Sequence, residues 1–380
     1  MLTTAGCRAR QSRFRERLAA LHIDAAALSD YRDIYYLTGI LLPDKLPALM
    51  LFDALGSGRT LLVAPDERLT ESVVAVVDEC LTYEWSHFGT MNPNPVGLMN
   101  AVVAARLKGA QTMRRLGWQA ESLPRLCANT LDCALQPDEW VDIDATLAEM
   151  QRRKDPDEVE MMARAAQVNL AGYTAAQAAI APGVNELAVL AAGQRGAMLK
   201  AGERVYHDGD YRCGQFNGPA RDRRIEAGEI YIIDAQTCYR GYWSDLSRAY
   251  IVGGEPTALQ QSLFDHIAAI QESVADLLKP GGDGRDVWRE LDRRIRAHPA
   301  LAETGLTHHG GHGIGLRLHE MPDINCDRGG ILEVGNVLSI EPGGYIDEAR
   351  YGVRIENTYL ITESGAVNLC EYPVNFIAVK

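Results

Sequence analysis

The chain has 380 residues, a formal net charge of -13 and a hydrophobic content of 47%. That length exceeds one ordinary compact core and predicts two or three domains. The acidic balance argues against a nucleic-acid partner, which would require a basic face, and no apolar run reaches the roughly 20 residues that span a bilayer. We therefore expect neither a nucleic acid nor a membrane as a partner.

The first residues lack the apolar core of a secretory signal. The four arginines between residues 8 and 15 have two interpretations: they resemble those of a transit peptide, or they line the solvent face of an amphipathic first helix. We favour the helix, with Phe14, Leu18 and Leu21 on its apolar side. Eight cysteines scatter along the chain without a C-x-x-C pair, which predicts reduced thiols and a cytoplasmic protein.

Short strand signals alternate with helical ones in the first 150 residues. Strands are predicted at 25–28, 46–52, 59–63 and 117–120, and a helix at 72–77. This alternation is typical of an α/β domain. The pair Tyr35-Tyr36 is expected in its core, and we find no catalytic constellation there.

A charged run with a proline, from Arg152 to Asp157, predicts the boundary between a domain at 1–153 and a second at 154–380. Four helices are then predicted, and strands that carry acidic residues fill the gaps between them. These helices span 158–181, 185–199, 259–278 and 286–297. The second domain is therefore expected to have an α+β fold.

Glycines and histidines dominate the run from His308 to Pro322, which reads HHGGHGIGLRLHEMP. Glycine opens backbone conformations closed to other residues and allows a ligand to approach closely. Imidazole is a common metal ligand and proton carrier. The run is either a histidine-bearing loop without chemistry or part of a site, and four acids elsewhere in the chain favour the site.

Two of these acids lie in a predicted β-hairpin around Tyr239-Arg240-Gly241. With Tyr239 and Arg240 as a two-residue loop, Asp234 and Asp245 would face each other with Cβ atoms roughly 4.5–5.5 Å apart. Two buried carboxylates so placed repel, and a cation or a shared proton resolves the conflict. A three-residue loop that includes Gly241 would change the register and weaken this argument.

The other two acids end or occupy strand-like runs. Residues 336–341 end in Glu341, and residues 351–362 alternate as a half-buried strand does. Period two places Arg354 and Glu356 on one face of that strand. Any one of these acids alone is more typical of a solvated surface, but five candidate ligands in such contexts indicate a metal centre.

Together the motifs resemble the "pita-bread" metallopeptidases, the superfamily of methionine aminopeptidase, aminopeptidase P and prolidase, and above all its Xaa-Pro branch. The residues that carry this resemblance are Asp234 and Asp245 with ten residues between them, His312 in G-H-G-I-G, His319 in L-H-E, Glu341 in I-E-P-G-G-Y and Glu356 in G-V-R-I-E. The likeness begins near residue 155, with a fainter part in Y-Y-L-T-G at 35–39. It implies a creatinase-type N-terminal α/β domain before an α+β pita-bread catalytic domain.

The resemblance also implies two divalent ions, Mn²⁺, Co²⁺, Zn²⁺ or Fe²⁺, among which the sequence does not choose. Their ligands would be Asp234, Asp245, His312, Glu341 and Glu356. Asp245 and Glu356 would bridge the ions, and the four carboxylates would balance four positive charges.

Three further roles follow from the family pattern. Glu341 would take a proton from water, and His319 would donate to the developing oxyanion. His308 matches the first histidine of H-G-x-G-H in the branch, and Tyr345 ends the I-E-P-G-G-Y motif. We expect His308 and Tyr345 beside the substrate, and His308 either takes part in catalysis or supports its neighbours.

Arg354 has two readings in this pattern, since it either orients Glu356 through a salt bridge or contacts a substrate carboxylate. His309 stands where the branch has glycine, and we expect it to support its neighbours. Asn217, 17 residues before Asp234, replaces a histidine that these peptidases usually carry. An amide can contact a substrate but does not titrate.

The sequence thus predicts a dinuclear metal hydrolase of Xaa-Pro aminopeptidase or dipeptidase type, which cleaves a small peptide before proline. One alternative is a relative that acts on a small non-peptide C–N substrate, as creatinase or ectoine hydrolase does. Another is a binding scaffold without catalysis. The resemblance further implies a homodimer, in which the N-terminal domain shapes one wall of the pocket, often that of the partner.

Overall fold

The structure is a computed structural model that describes residues 1–42, 46–53, 58–66 and 76–377. The chain divides into two compact units, Met1–Met150 and Gln151–Lys380. In the described ranges, no helix has both the length and the apolar composition that a membrane span requires. Most of the predicted helix at 72–77 lies outside these ranges.

The first unit is built around one mixed sheet with helices packed against it. Its helices are α1 (Thr4–Ala20), α2 (Tyr31–Thr38), α3 (Pro95–Arg106), α4 (Arg125–Leu135) and α5 (Asp144–Gln151). Its strands are β1 (Ala25–Leu28), β2 (Leu49–Phe52), β3 (Thr60–Pro65), β4 (Glu79–Tyr83), β5 (Ser86–His87), β6 (Thr90–Met91), β7 (Arg115–Trp118) and β8 (Glu139–Asp142). The sheet order is β4-β3-β2-β1-β7-β8, and β5 pairs with β6.

The central strands β1, β2 and β3 are buried throughout, as expected for strands covered on both faces. Tyr35 and Tyr36 are fully buried, which confirms that they belong to the core. The predicted α/β architecture of this unit is therefore present.

Helix α1 differs from its prediction at Arg10, which is buried rather than on the solvent face. Phe14 and Leu18 are buried as expected, whereas Leu21 is 40% exposed at the end of the helix. The Arg10 Nε donates to the carbonyl of Tyr36 at 2.7 Å. This bond satisfies a carbonyl in the last turn of α2, so the arginine has a structural role that the pattern of apolar residues did not reveal.

The second unit contains two sheets, a short ribbon and four helices. The helices are α6 (Pro156–Ala178), α7 (Glu186–Ala201), α8 (Ala258–Glu272) and α9 (Gly284–Ile295). The strands are β9 (Tyr206–Cys213), β10 (Ile230–Tyr239), β11 (Tyr242–Ile251), β12 (Gly311–Gly313), β13 (Glu320–Ile324), β14 (Val337–Ile340), β15 (Gly343–Gly344), β16 (Val353–Arg354), β17 (Asn357–Thr362) and β18 (Gly365–Asn368). Single turns of 3-10 helix lie at Val274–Leu277, Pro299–Leu301 and Asp347–Ala349.

One sheet has the order β11-β10-β9, the other has the order β13-β12-β14-β17-β18, and β15 pairs with β16. Apolar residues of α6 and α7 pack on the first sheet, and those of α8 and α9 pack against the second. Three of the four helices lie within three residues of their predicted bounds, because caps are local signals: the Asn185 side chain accepts from the N–H of Leu187, and Asp155 with Glu158 forms a capping box. Helix α8 ends at Glu272, six residues before its predicted end, and a 3-10 turn at Val274–Leu277 follows it.

Candidate metal centre

The predicted hairpin between β10 and β11 forms, but neither predicted loop is correct. Tyr239 pairs with Tyr242, so the two-residue loop is Arg240-Gly241. Both loop residues have positive φ, 47° and 87°, which is the requirement of the type I′ turn that suits the twist of a hairpin. Asp234 therefore pairs with Ser247, and Asp245 with Gln236. The two aspartates are diagonal neighbours on one face rather than directly opposed.

His312 lies on the three-residue strand β12, between β13 and β14. Gly311 has φ 152°, and a Cβ there would lie 2.2 Å from the carbonyl oxygen of Ser339. Only glycine therefore allows β12 to approach β14 closely enough to place His312. The Nδ1 of His312 is 2.9 Å from the carbonyl of Gly313, so Nδ1 carries the proton and Nε2 presents its lone pair.

Glu341 and Glu356 reach the same place from the ends of their strands. Glu341 directly follows β14, and its N–H donates to the carbonyl of Gly310 at 3.0 Å. Glu356 lies between β16 and β17, where its N–H donates to Ser247 of β11 at 3.0 Å. That bond interrupts the single strand predicted over 351–362, because residue 356 pairs with the other sheet.

The five predicted ligand side chains are all buried and lie together. Asp245, His312 and Glu356 each offer a ligand atom within 4.8 Å of the others. The Nε2 of His312 is 3.8 Å from Asp245 Oδ2 and 3.7 Å from Glu341 Oε1. Asp234 completes the set through its position beside Asp245 on the hairpin face.

Several oxygens in this cluster lack a hydrogen-bond partner among the described residues, namely Asp234 Oδ1 and both carboxylate oxygens of Glu356. A buried carboxylate without a partner is costly. Burial, reinforced by neighbouring acids, raises the pKa of Asp245 and of Glu356 well above the usual carboxyl range. Burial also raises the pKa of Glu341 to about 8 and lowers that of His312 to about 3. Orphaned carboxylates around a neutral imidazole are a donor set that fits hard or borderline divalent cations.

Three histidines surround the acids. The ring of His319 stacks on that of His312, with centroids 3.9 Å apart and an interplanar angle of 15°. The Nδ1 of His309 is 3.3 Å from Glu341 Oε1. His308 donates from Nδ1 to the carbonyl of His309 at 2.5 Å, and its Nε2 is 3.0 Å from the hydroxyl of Tyr345. His308 and Tyr345 thus form one bonded pair beside the acids.

Arg354 does not pair with Glu356, so that predicted salt bridge is wrong. Its Nη2 contacts Asp234 Oδ2 and lies 3.0 Å from Asp210 Oδ2, and its Nη1 is 3.7 Å from Glu341 Oε2. The Asn217 amide faces both terminal nitrogens, and the orientation that satisfies both groups turns its oxygen towards them, 2.7 Å from Nη2. Arg354 therefore holds Asp234 in place.

The sequence analysis missed three contributors to this region. Asp210 pairs with Asp234 between β9 and β10, and the alternation of Asp208, Asp210 and Arg212 on one strand face was the available signal. Phe216 and Tyr351 join the predicted Tyr345 in a cluster of rings, with centroids 4.7 to 6.2 Å apart. Contacts between residues that are distant along the chain do not produce a short sequence motif.

The third contributor that was not predicted is Lys154, whose ammonium lies 2.7 Å from Glu320 Oε2. Glu320 also accepts from the N–H of Arg317 at 2.9 Å. The pair therefore fixes the loop that carries His319.

Two family models match the chain: "Metallopeptidase family M24" over residues 160–363 and "Creatinase/Prolidase N-terminal domain" over residues 10–152. The chain belongs to metallopeptidase family M24. The family and fold predicted from the motifs are thereby confirmed, with a creatinase-type N-terminal domain before a pita-bread catalytic domain. Membership also establishes a metal-dependent peptidase class and the use of divalent metal.

Relatives within this family are named for Xaa-Pro substrates. An Xaa-Pro dipeptidase of Pyrococcus furiosus is 32% identical over 239 residues, which cover 61% of this chain and 66% of the relative. An Xaa-Pro dipeptidase of Pyrococcus horikoshii is 30% identical over 266 residues, which cover 69% and 74%.

Solved structures agree over nearly the whole chain. The prolidase from Pyrococcus horikoshii OT3 has a TM-score of 0.76 at 25% identity and covers 97% of this chain and all of its own. The X-Pro aminopeptidase from Thermotoga maritima has a TM-score of 0.77 at 21% identity and covers 96% and 100%, which supports the fold.

Proposed function

We propose that this chain is a dinuclear Xaa-Pro peptidase, an aminopeptidase or dipeptidase that cleaves the bond before proline. The buried cluster of Asp245, His312 and Glu356 carries the proposal, because a bound cation would satisfy its orphaned carboxylate oxygens. The names of the Pyrococcus relatives support the substrate class.

Five residues would hold the ions: Asp234, Asp245, His312, Glu341 and Glu356. Their four carboxylates match two divalent cations in charge, and Mn²⁺, Co²⁺, Zn²⁺ and Fe²⁺ all suit this donor set. Two such cations, when bound, lower the pKa of a water molecule and polarise the scissile carbonyl.

The side chains around the cluster supply the remaining steps. Glu341, whose Oε1 lies 3.3 Å from His309 Nδ1, accepts the proton of the attacking water. His319 donates a hydrogen bond to the carbonyl oxygen as it gains charge. Arg354 keeps Asp234 in position, a role supported by its direct contact with that carboxylate.

The aromatic cluster of Phe216, Tyr345 and Tyr351 supports proline as the residue after the scissile bond. Phe216 is 42% exposed and is packed edge-on against Tyr345, so it offers an apolar surface of the kind that a pyrrolidine ring covers. His308 and Asn217 lie at the edge of this surface, through Tyr345 and Arg354 respectively. We assign these two residues, with Tyr345, to substrate contact.

Three wider features complete the proposal. We divide the chain into an N-terminal domain at 1–153 and a catalytic domain at 154–380, and the division into Met1–Met150 and Gln151–Lys380 supports this. The eight free cysteines support a reducing, cytoplasmic setting. We propose a homodimer, which light scattering of the purified protein tests.

Purified protein reconstituted with Mn²⁺, Co²⁺ or Zn²⁺ should cleave Xaa-Pro substrates and bind close to two ions per chain. Asp245→Asn and Glu356→Gln should lose both metal and activity, because each removes a charge from the buried cluster. The control Asp286→Asn changes a carboxylate that is 71% exposed on α9 and should retain both. Stoichiometry near zero with activity insensitive to chelation would refute the metal mechanism.

Asn217 favours a second candidate, a hydrolase of a small non-peptide C–N substrate, because an amide there does not supply a proton to a leaving nitrogen. A panel of small amides alongside Xaa-Pro peptides separates the two. Metal-dependent turnover of a small amide, without cleavage of any Xaa-Pro bond, would replace the peptidase by this candidate.

A further inference from the structure

Arg354 is in direct contact with the ligand cluster, and its terminal nitrogens face protein groups. Nη2 contacts Asp234 and Asp210, and Nη1 lies 3.7 Å from Glu341. The Asn217 oxygen takes a further bond from each terminal nitrogen. The remaining nitrogen, Nε, is buried without a hydrogen-bond partner in the described part of the chain. Nη2, which already contacts two carboxylates, is therefore not available for the planar, two-bond contact by which arginine binds a further carboxylate.

A second arginine, Arg212, donates its hydrogen bonds to backbone carbonyls. Arg212 lies two residues from Asp210 on β9, and its terminal nitrogens donate to the carbonyls of Phe216, Asn217 and Pro219 at 3.2 to 3.5 Å. A Cβ on Gly218 would lie 2.6 Å from the Arg212 Cζ, so the loop is wrapped closely around the guanidinium. Arg212 therefore positions the loop that presents Phe216 and Asn217.

Asp210 is the least enclosed member of this group. Its side chain is 29% exposed, whereas those of Arg354 and Asp234 are 7% and 8% exposed. Asp210 stands directly across from Asp234 in the ladder between β9 and β10. The Asp210 carboxylate thus lies on the more exposed side of Arg354. It repels an anion that approaches Arg354 from that side.

His308 does not supply a positive charge beside Arg354. Its Nδ1 faces the carbonyl of His309 and must donate to it, which leaves Nε2 to accept from the Tyr345 hydroxyl. Both ring nitrogens are satisfied by a neutral imidazole. The aromatic surface beside it is likewise uncharged.

We propose that Asp210 is a specificity-determining residue that makes the enzyme reject a free carboxylate on the proline and select substrates in which that group is an amide. This inference rests on the proposed function. The substrates are then Xaa-Pro peptides extended beyond proline, so that the enzyme acts as an aminopeptidase rather than as a dipeptidase. Arg354 serves the ligand Asp234 and does not bind the substrate carboxylate.

The test compares Ala-Pro, Ala-Pro-amide and Ala-Pro-Ala on the metal-loaded protein. The wild type should show a kcat/KM at least about tenfold higher on the amide and the tripeptide than on Ala-Pro, which is roughly the worth of one hydrogen bond to a charged group. Asp210→Ala opens the edge of Arg354 and should reduce this ratio by about tenfold or more, mainly through a lower KM for Ala-Pro. Asp210→Asn, which keeps the shape, should move the ratio in the same direction.

Asp208→Ala is the matched control, because Asp208 lies on the same strand two residues away and accepts from the N–H of Gly209. Its ratio should equal that of the wild type. Inhibition of the wild type by prolinamide and by proline gives a measurement that needs no variant, and prolinamide should bind more tightly.

The outcomes separate the two proposals. Equal or faster cleavage of Ala-Pro by the wild type, or an unchanged ratio in Asp210→Ala with metal content retained, overturns the role of Asp210 and leaves the peptidase intact. Cleavage of none of the three substrates overturns the peptidase, and the role of Asp210 with it.

Discussion

Replacement of Lys154 by methionine tests how the catalytic loop is held. The Lys154 side chain is 1% exposed and that of Glu320 is 8% exposed, with 2.7 Å between Nζ and Oε2. Removal of one partner of a buried pair leaves an uncompensated charge and typically costs about 3–5 kcal/mol. We therefore expect Lys154→Met to lower the free energy of unfolding by about that amount. Because Glu320 directly follows His319, kcat should also fall while bound metal is retained.

Urea denaturation followed by circular dichroism measures this cost. Arg289→Met is the control, since the pair of Arg289 and Asp286 on α9 is 64% and 71% exposed and should contribute less than about 1 kcal/mol. The double variant Lys154→Met/Glu320→Met should recover most of the loss, because an apolar pair of similar volume replaces a buried ion pair at little cost. A cost for Lys154→Met no larger than that of the control would refute this reasoning.

Three further predictions concern single residues. His319→Ala should lower kcat by about 10²–10³ with metal content unchanged, and loss of metal in proportion to rate would instead make His319 a ligand. Arg354→Lys should reduce kcat/KM on Ala-Pro and Ala-Pro-amide in parallel. A loss confined to Ala-Pro would instead indicate that Arg354 contacts the substrate carboxylate. Burial lowers the pKa of His207 to about 4, so its contribution to stability is complete above pH 6.5 and is lost as pH falls towards 4, by about 3 kcal/mol. His207→Gln should flatten stability over that window in urea titrations, and an unchanged slope would contradict the assignment.

The candidate metal ligands were recognisable in the sequence because each lies in a short local motif. Gly311, which a close strand approach requires, adjoins His312, and the hairpin acids lie within twelve residues of each other. The register of that hairpin was not predictable from its alternation, because both strands are largely buried on both faces. The turn depends on the positive φ of Arg240. That conformation favours glycine, so an arginine at this position does not signal it.

Contacts between distant segments account for the remaining differences. The interruption of the strand at Glu356 depends on Ser247, more than a hundred residues earlier. Arg10 is buried because its side chain reaches a carbonyl of α2. The proposed role of Asp210 depends on its contact with Arg354. Periodicity in one segment carries no information about a partner of that kind.

The candidate ligands of the metal cluster come from both sheets of the catalytic unit. Asp234 and Asp245 belong to β10 and β11, whereas His312 and Glu341 belong to β12 and the end of β14. A cation bound among them therefore cross-links two layers that would otherwise be pushed apart by their own carboxylates. Metal loading is then a contribution to folding as well as to catalysis: at a free metal concentration of 100 times Kd, one site adds about 2.7 kcal/mol. Starvation for metal would lower the abundance of the intact protein before it limited the turnover of the molecules that remain.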